Sequence, residues 1–567
     1  MDRRIFLAVL LTAAVIIVTP LMFPGNQGHP GSDSVMTGGA AGEAKQPTRD
    51  TESRSAQGVH QPAGVPAGEK VTSRLVEDSM AIRSANGTAW YGDQSGALLR
   101  VQLNGYQGRN PDRQSGPVEL RQVDHGALFG FVLLSGDSAV DLNAGFLSPV
   151  DTGRPLNGEL TFNGAAGSQP VRITYLNPLK QGDRYVIRVK VDLPGVPRAA
   201  RLAVRLPAAL ESAESDTTDD IRHLAFGYKA KGDGVASVPF SKLDSGQTKS
   251  VTGALEWVAL RNKYFLAAVI SPDTVIQEAV FTGGPRIDKL AVTASGQAIL
   301  PLRDGRAEFD LYVGPQEFER LHALGYDLDH VNPYAGWLHG VVQPFANIVI
   351  RVLLWMKRWS GLGYGWVIVI FGVAVRLLLW PLNQSAMRTS IRMQRLQPEL
   401  AEVQRKYKND PEKQRDALVK LYQAHGMTPF SPMMGCLPML LPMPILFALY
   451  FVFLNTIEFR GVPFLWIHDI SVADPYYITP LVMGISMFAL SWVGMRGTPP
   501  TTQTRMMSYT MPIVFTFMFF RFAAGLNLYY AVQNIAALPQ QWLLARERAG
   551  ASNAMSGGKI KARRDKT

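Results

Sequence analysis

Trp366-Val-Ile-Val-Ile-Phe-Gly-Val-Ala-Val-Arg376-Leu-Leu-Leu-Trp380-Pro381 is apolar enough to sit in a bilayer, yet it carries an arginine near its middle. A charge at that depth costs at least about 2.5–3.5 kcal/mol on insertion scales. No Asp or Glu lies in any other apolar segment, so no intramembrane carboxylate is available to it. Asn383 is seven positions on, about 10 Å along a helix and just beyond comfortable reach. Two readings stand. Either Arg376 snorkels to the nearer interface, or it faces a water-filled cavity inside a helix bundle. The second is taken forward.

The surroundings fit a membrane bundle. Downstream, residues 383–427 hold nine Lys/Arg against five Asp/Glu, and residues 546–567 hold seven against two. Positive loops stay inside, which places both segments in the cytoplasm. Within the first, Met393, Leu396, Leu400, Val403 and Tyr407 form one helical face. Asn409-Asp410-Pro411 interrupts it, with Asp410 as N-cap and Pro411 at the first helical position. The spacing predicts a cytoplasmic αα-hairpin over 384–427. It belongs to a five-span core at 361–545, followed by a basic cytoplasmic tail at 546–567. In the third span, Pro438, Pro442 and Pro444 predict an irregular first half. The fifth, near 507–520, covers only roughly 21 Å of a core of about 30 Å.

Upstream, residues 1–23 read as an uncleaved anchor helix with Arg3 and Arg4 inside; no small-x-small site follows. The alternative is a cleaved signal peptide. Residues 24–70, rich in Gly, Ser, Pro, Ala and Gln, read as a flexible tether. Over 71–325 the pattern becomes short alternating strands. Tyr185, Ile187, Val189 and Val191 alternate with Arg188, Lys190 and Asp192. Asp304-Gly305 between two apolar runs predicts a hairpin, and Asn86-Gly87 and Asn157-Gly158 are similar turns. About fifteen strands point to a large β-sandwich on the outer side of the membrane. A short helix at 316–324 leads out of it. Residues 333–360 are apolar but interrupted by polar and basic residues among Trp337, Trp355 and Trp359. They read as an amphipathic interfacial helix, or alternatively as an extra span. The fold class is thus a six-span polytopic α-helical membrane protein carrying a β-sandwich.

The chain has 567 residues, a formal net charge of +11, a hydrophobic fraction of 47% and one cysteine, Cys436. That cysteine count excludes a disulfide framework and any multi-cysteine metal site. There is no phosphate loop, GxSxG or HExxH, and the nine histidines show no metal-ligand spacing. We expect no catalytic residue, no metal and no cofactor. Two other features invite a function. Asn527, Tyr530, Asn534 and Gln541 form a polar stripe on the last span. Interhelical hydrogen bonding, worth about 0.6 kcal/mol each, would explain Asn534 and Gln541 equally well. Asn527 and Tyr530 are expected to face the same cavity as Arg376. Methionines cluster in the C-terminal third, among them Met433, Met439, Met443 and Met487. Such side chains suit a surface that accepts many apolar sequences, although a methionine also simply fills space.

Arg376 with Trp380-Pro381-Leu382, Gly435-Cys436-Leu437-Pro438 with Pro442-Met443-Pro444, Trp466-Ile467-His468-Asp469 with Asp474-Pro475-Tyr476-Tyr477, and Gly525-Leu526-Asn527-Leu528-Tyr529-Tyr530 with Asn534 resemble the YidC family of membrane protein insertases. The segment order matches from about Gly336 onward and more weakly across the sandwich. The resemblance implies an inner-membrane protein with both termini cytoplasmic, which inserts and helps fold nascent membrane proteins alone or beside the SecYEG translocon. It implies a hydrophilic groove open to cytoplasm and lipid, with Arg376 and Tyr530 in it and Asn527 and Asn534 on the same helix. Gly372 stands where the family often has a hydroxyl residue. The hairpin and tail suit the ribosome or anionic lipids. Met433, Met439, Met443 and Met487 would form the apolar slide. The rivals are a secondary transporter of an anionic solute, against which stand the missing repeats and acids, and an envelope scaffold.

Overall fold

The computed structural model describes residues 79–564 apart from 85, 111–115, 151–157, 178–184, 274, 288–289, 333–338, 385–395, 397–398, 401, 404, 408–409, 425–442 and 497–501. The chain divides into two units, Met1–Ala67, which lies outside the described residues, and Gly68–Thr567. The expected anchor, the tether, the first arm of the hairpin up to 395, Met433, Met439 and Gly435 to Pro442 also lie outside them.

Twenty strands occur among the described residues, in sheets of four, fourteen and two. The surplus over fifteen comes from short pieces such as Ser138–Asp141, Phe146–Pro149 and the ribbon Arg286–Ile287 with Leu290–Ala291. None is long enough to display a period of two. Where the alternation is long it holds: in Val186–Asp192, Ile187, Val189 and Val191 are buried while Arg188 and Lys190 are exposed. The Asp304-Gly305 turn also forms. Both residues take left-handed φ, 51° and 75°, as a type I′ turn requires. Arg303 and Arg306 exchange two backbone hydrogen bonds of 2.9 Å across it.

The predicted hairpin beyond that turn needs correction. Ala294–Pro301 pairs with Arg201–Leu206 and Ile276–Gly283, whereas Arg306–Pro315 pairs with Val186–Asp192 and Phe265–Ile270. Pro301 has no N–H to continue the ladder, and each strand already has neighbours on both edges. One long strand, Thr248–Arg261, joins the two sets. Its register against Ile276–Gly283 breaks between Thr252 and Leu255, around Gly253 with φ of 144°. Beyond the break it pairs with Phe265–Ile270 and Ala225–Ala230. The sheet thereby folds back until Phe131 meets Phe309, six strands away in the order, with ring centroids 5.8 Å apart.

Nine helices are labelled in chain order: α1 Thr217–Arg222, α2 Phe318–Leu324, α3 His339–Ser360, α4 Tyr364–Leu378, α5 Pro411–Ala424, α6 Met443–Asn455, α7 Ile478–Met495, α8 Thr502–Phe519 and α9 Ala524–Arg564. The Asp410 cap is as read, its Oδ1 accepting the Lys413 N–H at 3.1 Å. Helix α3 buries Val342, Ala346, Ile350 and Leu353 in the helical core and exposes Ile348, Trp355 and Trp359. Among the described residues, α7 alone is by itself long and apolar enough to cross a membrane; α3 and α4 pass that test as a pair bent by 117°. The apolar parts of α6 and α8, Ile445–Asn455 and Ser508–Phe519, are shorter.

Arg376 is in the last turn of α4, and helical backbone resumes at Trp380. Pro381 explains the break, because its ring clashes with the carbonyl four residues back, at Leu377. Helical backbone also runs on from the last span into the basic tail, α9 continuing to Arg564. The residues at that junction, Ala-Arg-Glu-Arg-Ala, are good helix formers.

The first turn of α4 is held by a close approach. A Cβ on Gly365 would meet the Phe464 ring at 2.0 Å. Gly365→Val should therefore destabilise this corner by about 1–3 kcal/mol through overpacking. A thermal-shift series with Gly363→Val as control, where nothing lies within 4 Å, would measure the difference.

Candidate functional site

Arg376 meets α9. Its Nη2 donates to Gln540 Oε1 at 2.7 Å, and Gln540 Nε2 donates to the Trp380 carbonyl at 3.1 Å. One turn earlier on α4, the Gly372 carbonyl accepts from Gln533 Nε2 at 2.7 Å. The Tyr529 ring lies 6.0 Å from Phe371. A Cβ on Gly372 would sit 3.0 Å from Val532, so the absent hydroxyl side chain leaves room for close packing of α4 on α9. Tyr529, Gln533 and Gln540 are four and seven apart and share one helix face. Among the described residues no carboxylate pairs with Arg376; its bonded partner is a neutral amide, and its buried Nε has no partner. Asn383 is buried but is not joined to it, and its Nδ2 is unpaired.

The predicted stripe lies one residue further round α9. Asn527, fully buried, donates to the carbonyls of Phe519 at 3.1 Å and Phe522 at 3.5 Å, closing the end of α8. The Tyr530 ring packs on Phe519 at 5.5 Å. Asn534 donates to Ser486 Oγ at 3.2 Å on α7. Gln541 Oε1 is buried without a partner. Asn527 and Tyr530 are the residues that the sequence reading placed around one cavity with Arg376. These side chains turn toward α7 and α8, and the face opposite Arg376 is Tyr529, Gln533 and Gln540. The sequence holds polar doublets, Tyr529-Tyr530, Gln533-Asn534 and Gln540-Gln541. Each doublet puts a polar residue on two faces about 100° apart, so periodicity marks two stripes and cannot choose between them. Of the methionines, Met487 is partly exposed on α7 and Met443 begins α6.

A second cluster joins the β-rich domain to the helices. Ile457, after α6, lies in the apolar core of the β-rich domain, and Phe318, in α2, lies in the helical core. Arg460 donates to Glu214 at 2.8 Å, and Arg109 pairs with Asp469. Asp469 also accepts from the Gly461 N–H at 3.0 Å and Ser471 N–H at 2.9 Å. Asp474 accepts from the Thr479 N–H at 2.8 Å and Trp466 Nε1 at 3.2 Å at the start of α7. Glu458 is half-buried here; its Oε1 accepts the Phe318 N–H at 2.8 Å, and its Oε2, itself buried, has no partner.

Burial pushes the Glu458 carboxyl from its ordinary 4.5 up to about 7, with Glu317 and Glu319 adding to the effect. The folded state then holds the proton more tightly than the unfolded one. Its stabilising contribution is complete below about pH 4.5 and is lost as pH rises through about 7, on the order of 3 kcal/mol in all. Glu458→Gln should flatten the fall in melting temperature between pH 5 and 8. An unchanged slope would contradict that origin.

Asp327, Asp329 and His330 bring possible metal-ligand atoms within 4.8 Å of one another. Asp327 is engaged by Lys229 at 2.9 Å and Asp329 by His322 at 3.1 Å, so protein partners account for both carboxylates.

Comparison with known proteins places this architecture. A family model described as "YidC periplasmic domain" matches residues 93–348, and one described as "60Kd inner membrane protein" matches residues 355–551. The membrane protein insertase YidC of Anaeromyxobacter dehalogenans is 30% identical over 82% of this chain and 84% of its own. That of Geobacter metallireducens is 28% identical over 97% and 99%. A crystal structure of an active YidC insertase with its first transmembrane domain resolved covers 83% of this chain and 93% of its own, at 18% identity and a TM-score of 0.33.

Proposed function

Because this chain belongs to the YidC family of membrane protein insertases, we propose that it inserts and helps fold inner-membrane proteins through a hydrophilic groove built around Arg376. One observation carries the reading: among the described residues, a guanidinium on a helix of the membrane core has a neutral amide as its bonded partner and no carboxylate. A fixed charge left without a counter-ion is free to attract one from a passing segment. A polar segment crossing hydrocarbon costs several kcal/mol for each unpaired group, and a wet groove reaching partway removes part of that barrier.

The other parts follow from this role. The short apolar length of α8 thins the bilayer beside the groove. Apolar helices leave along the methionine side, with Met433, Met439, Met443 and Met487 as the slide. Asn527, Tyr530 and Asn534 brace α7 and α8 against α9 and set the groove's outer wall. The helical hairpin over 384–427 and the basic end of α9 receive nascent chains from the ribosome and touch anionic lipid. The β-rich domain lies in the periplasm, both termini lie in the cytoplasm, and SecYEG is a partner for larger clients. There is no catalytic step; partitioning of the client into lipid supplies the free energy.

Purified protein in liposomes tests this. A short client with an acidic translocated segment should become protease-protected only in vesicles holding the protein, while a small anionic solute stays inside them. Solute efflux without client protection would instead support a transporter.

A further inference from the structure

Gln540 was no part of the stripe read from the sequence, yet it is the residue bonded to Arg376. It is 2% exposed, and both ends of its amide are used. The Nε2 donates to the Trp380 carbonyl at 3.1 Å, which fixes the amide orientation and turns Oε1 to Arg376 Nη2 at 2.7 Å. Trp380 follows Arg376 by one turn, past the end of α4. The amide therefore clips the guanidinium to the break that terminates α4, and α9 supplies the clip.

An amide oxygen is a weaker partner for a guanidinium than a carboxylate, because the carboxylate brings a full opposite charge and two oxygens that fit the guanidinium fork. The arrangement satisfies part of Arg376 without neutralising it, and Nε stays unpaired. We propose that Gln540 is a surrogate ligand: it holds Arg376 in the resting protein in the place a client's carboxylate takes, and that carboxylate displaces it. The exchange would make capture selective for acids. Neutral polar groups compete with an amide already in position and gain little, whereas a carboxylate gains a charge-assisted pair. Once displaced, the amide keeps its bond to the Trp380 carbonyl, so the clip on α4 survives the exchange. This inference rests on the insertion reading above.

The test uses the full chain in liposomes with two clients that differ only by Asp or Asn in the translocated segment. The readout is the ratio of acidic to neutral client inserted, from which any loss of folded protein cancels. Gln540→Glu supplies a resident carboxylate that the client must displace, and should lower the ratio at least tenfold. Gln540→Met removes the competitor for acidic and neutral segments alike, and should lower the ratio far less than Gln540→Glu does. A ratio unchanged by Gln540→Glu, or lowered equally by both substitutions, overturns the proposal. Arg376→Ala in the same assay separates the two levels. If it leaves the ratio untouched, the reading of Arg376 itself fails. If it lowers the ratio while Gln540→Glu does not, only the surrogate role fails.

Discussion

Arg376→Ala is expected to lower insertion of a client with an acidic translocated segment by between tenfold and a hundredfold. The magnitude follows from the charge. A pair of unit charges 4 Å apart is worth about 4 kcal/mol near a protein surface, and each 1.4 kcal/mol is about tenfold in an equilibrium. Part of that is already offset by the bond to Gln540 that must break, so the net effect is smaller than the pair energy. Arg376→Lys keeps the charge but loses the planar fork. It should fall between the other two, closer to the arginine. Protease protection of the client in liposomes ranks the three. Equal loss in Lys and Ala would count against simple attraction, and full retention in Ala would remove Arg376 from the mechanism.

Arg460→Ala should be the most damaging change at the joint between the β-rich domain and the helices. Its guanidinium donates to Glu214 at 2.8 Å, and the two side chains are only 3% and 11% exposed. It also lies 5.9 Å from the Tyr264 ring and 5.8 Å from that of Phe265. Removing one member of a buried pair strands the other charge and costs about 3–5 kcal/mol. The double substitution Arg460→Met with Glu214→Gln removes both charges and should recover much of the loss, since well-packed neutral replacements of buried pairs are often close to neutral. Thermal unfolding and protease cutting near the joint would register it. A shift in Arg460→Ala below about 0.5 kcal/mol, the size of an ordinary surface change, would show that this pair does not hold the joint.

Much of this was readable from the residues. Period two marked Val186–Asp192 and the Asp-Gly turn marked its own backbone. Asp410 marked the start of α5, and the apolar length near 507–520 matched the apolar part of α8, Ser508–Phe519. What resisted has a common cause: the sequence shows which face is polar or apolar, but not what that face meets. The turn at Asp304 formed while its strands left for different neighbours. The doublets on α9 offered two polar stripes, and only packing against α4, α7 and α8 assigned them. The joint was invisible, because Arg460 and Glu214 are 246 positions apart and Glu458 and Phe318 are 140 apart. Nothing local in Ile457-Glu458-Phe459-Arg460 marks its acid and its arginine for burial. Their burial depends on a partner domain that no local pattern describes.

The central claim is that the face between α4 and α9 around Arg376 is open to water while lying at membrane depth. Single cysteines placed at Leu379, Gln533 and Ala536, each half-buried and on the helix faces that carry Arg376 and Gln540, in a chain with Cys436 replaced by serine, test this most directly. A membrane-impermeant, charged maleimide is added from the cytoplasmic side of intact inner-membrane vesicles. Labelling should be fast at these positions and slow at Ile370, which is exposed on the same helix and would face lipid. Uniformly slow labelling at all four positions would mean a dry interface, and would contradict the groove.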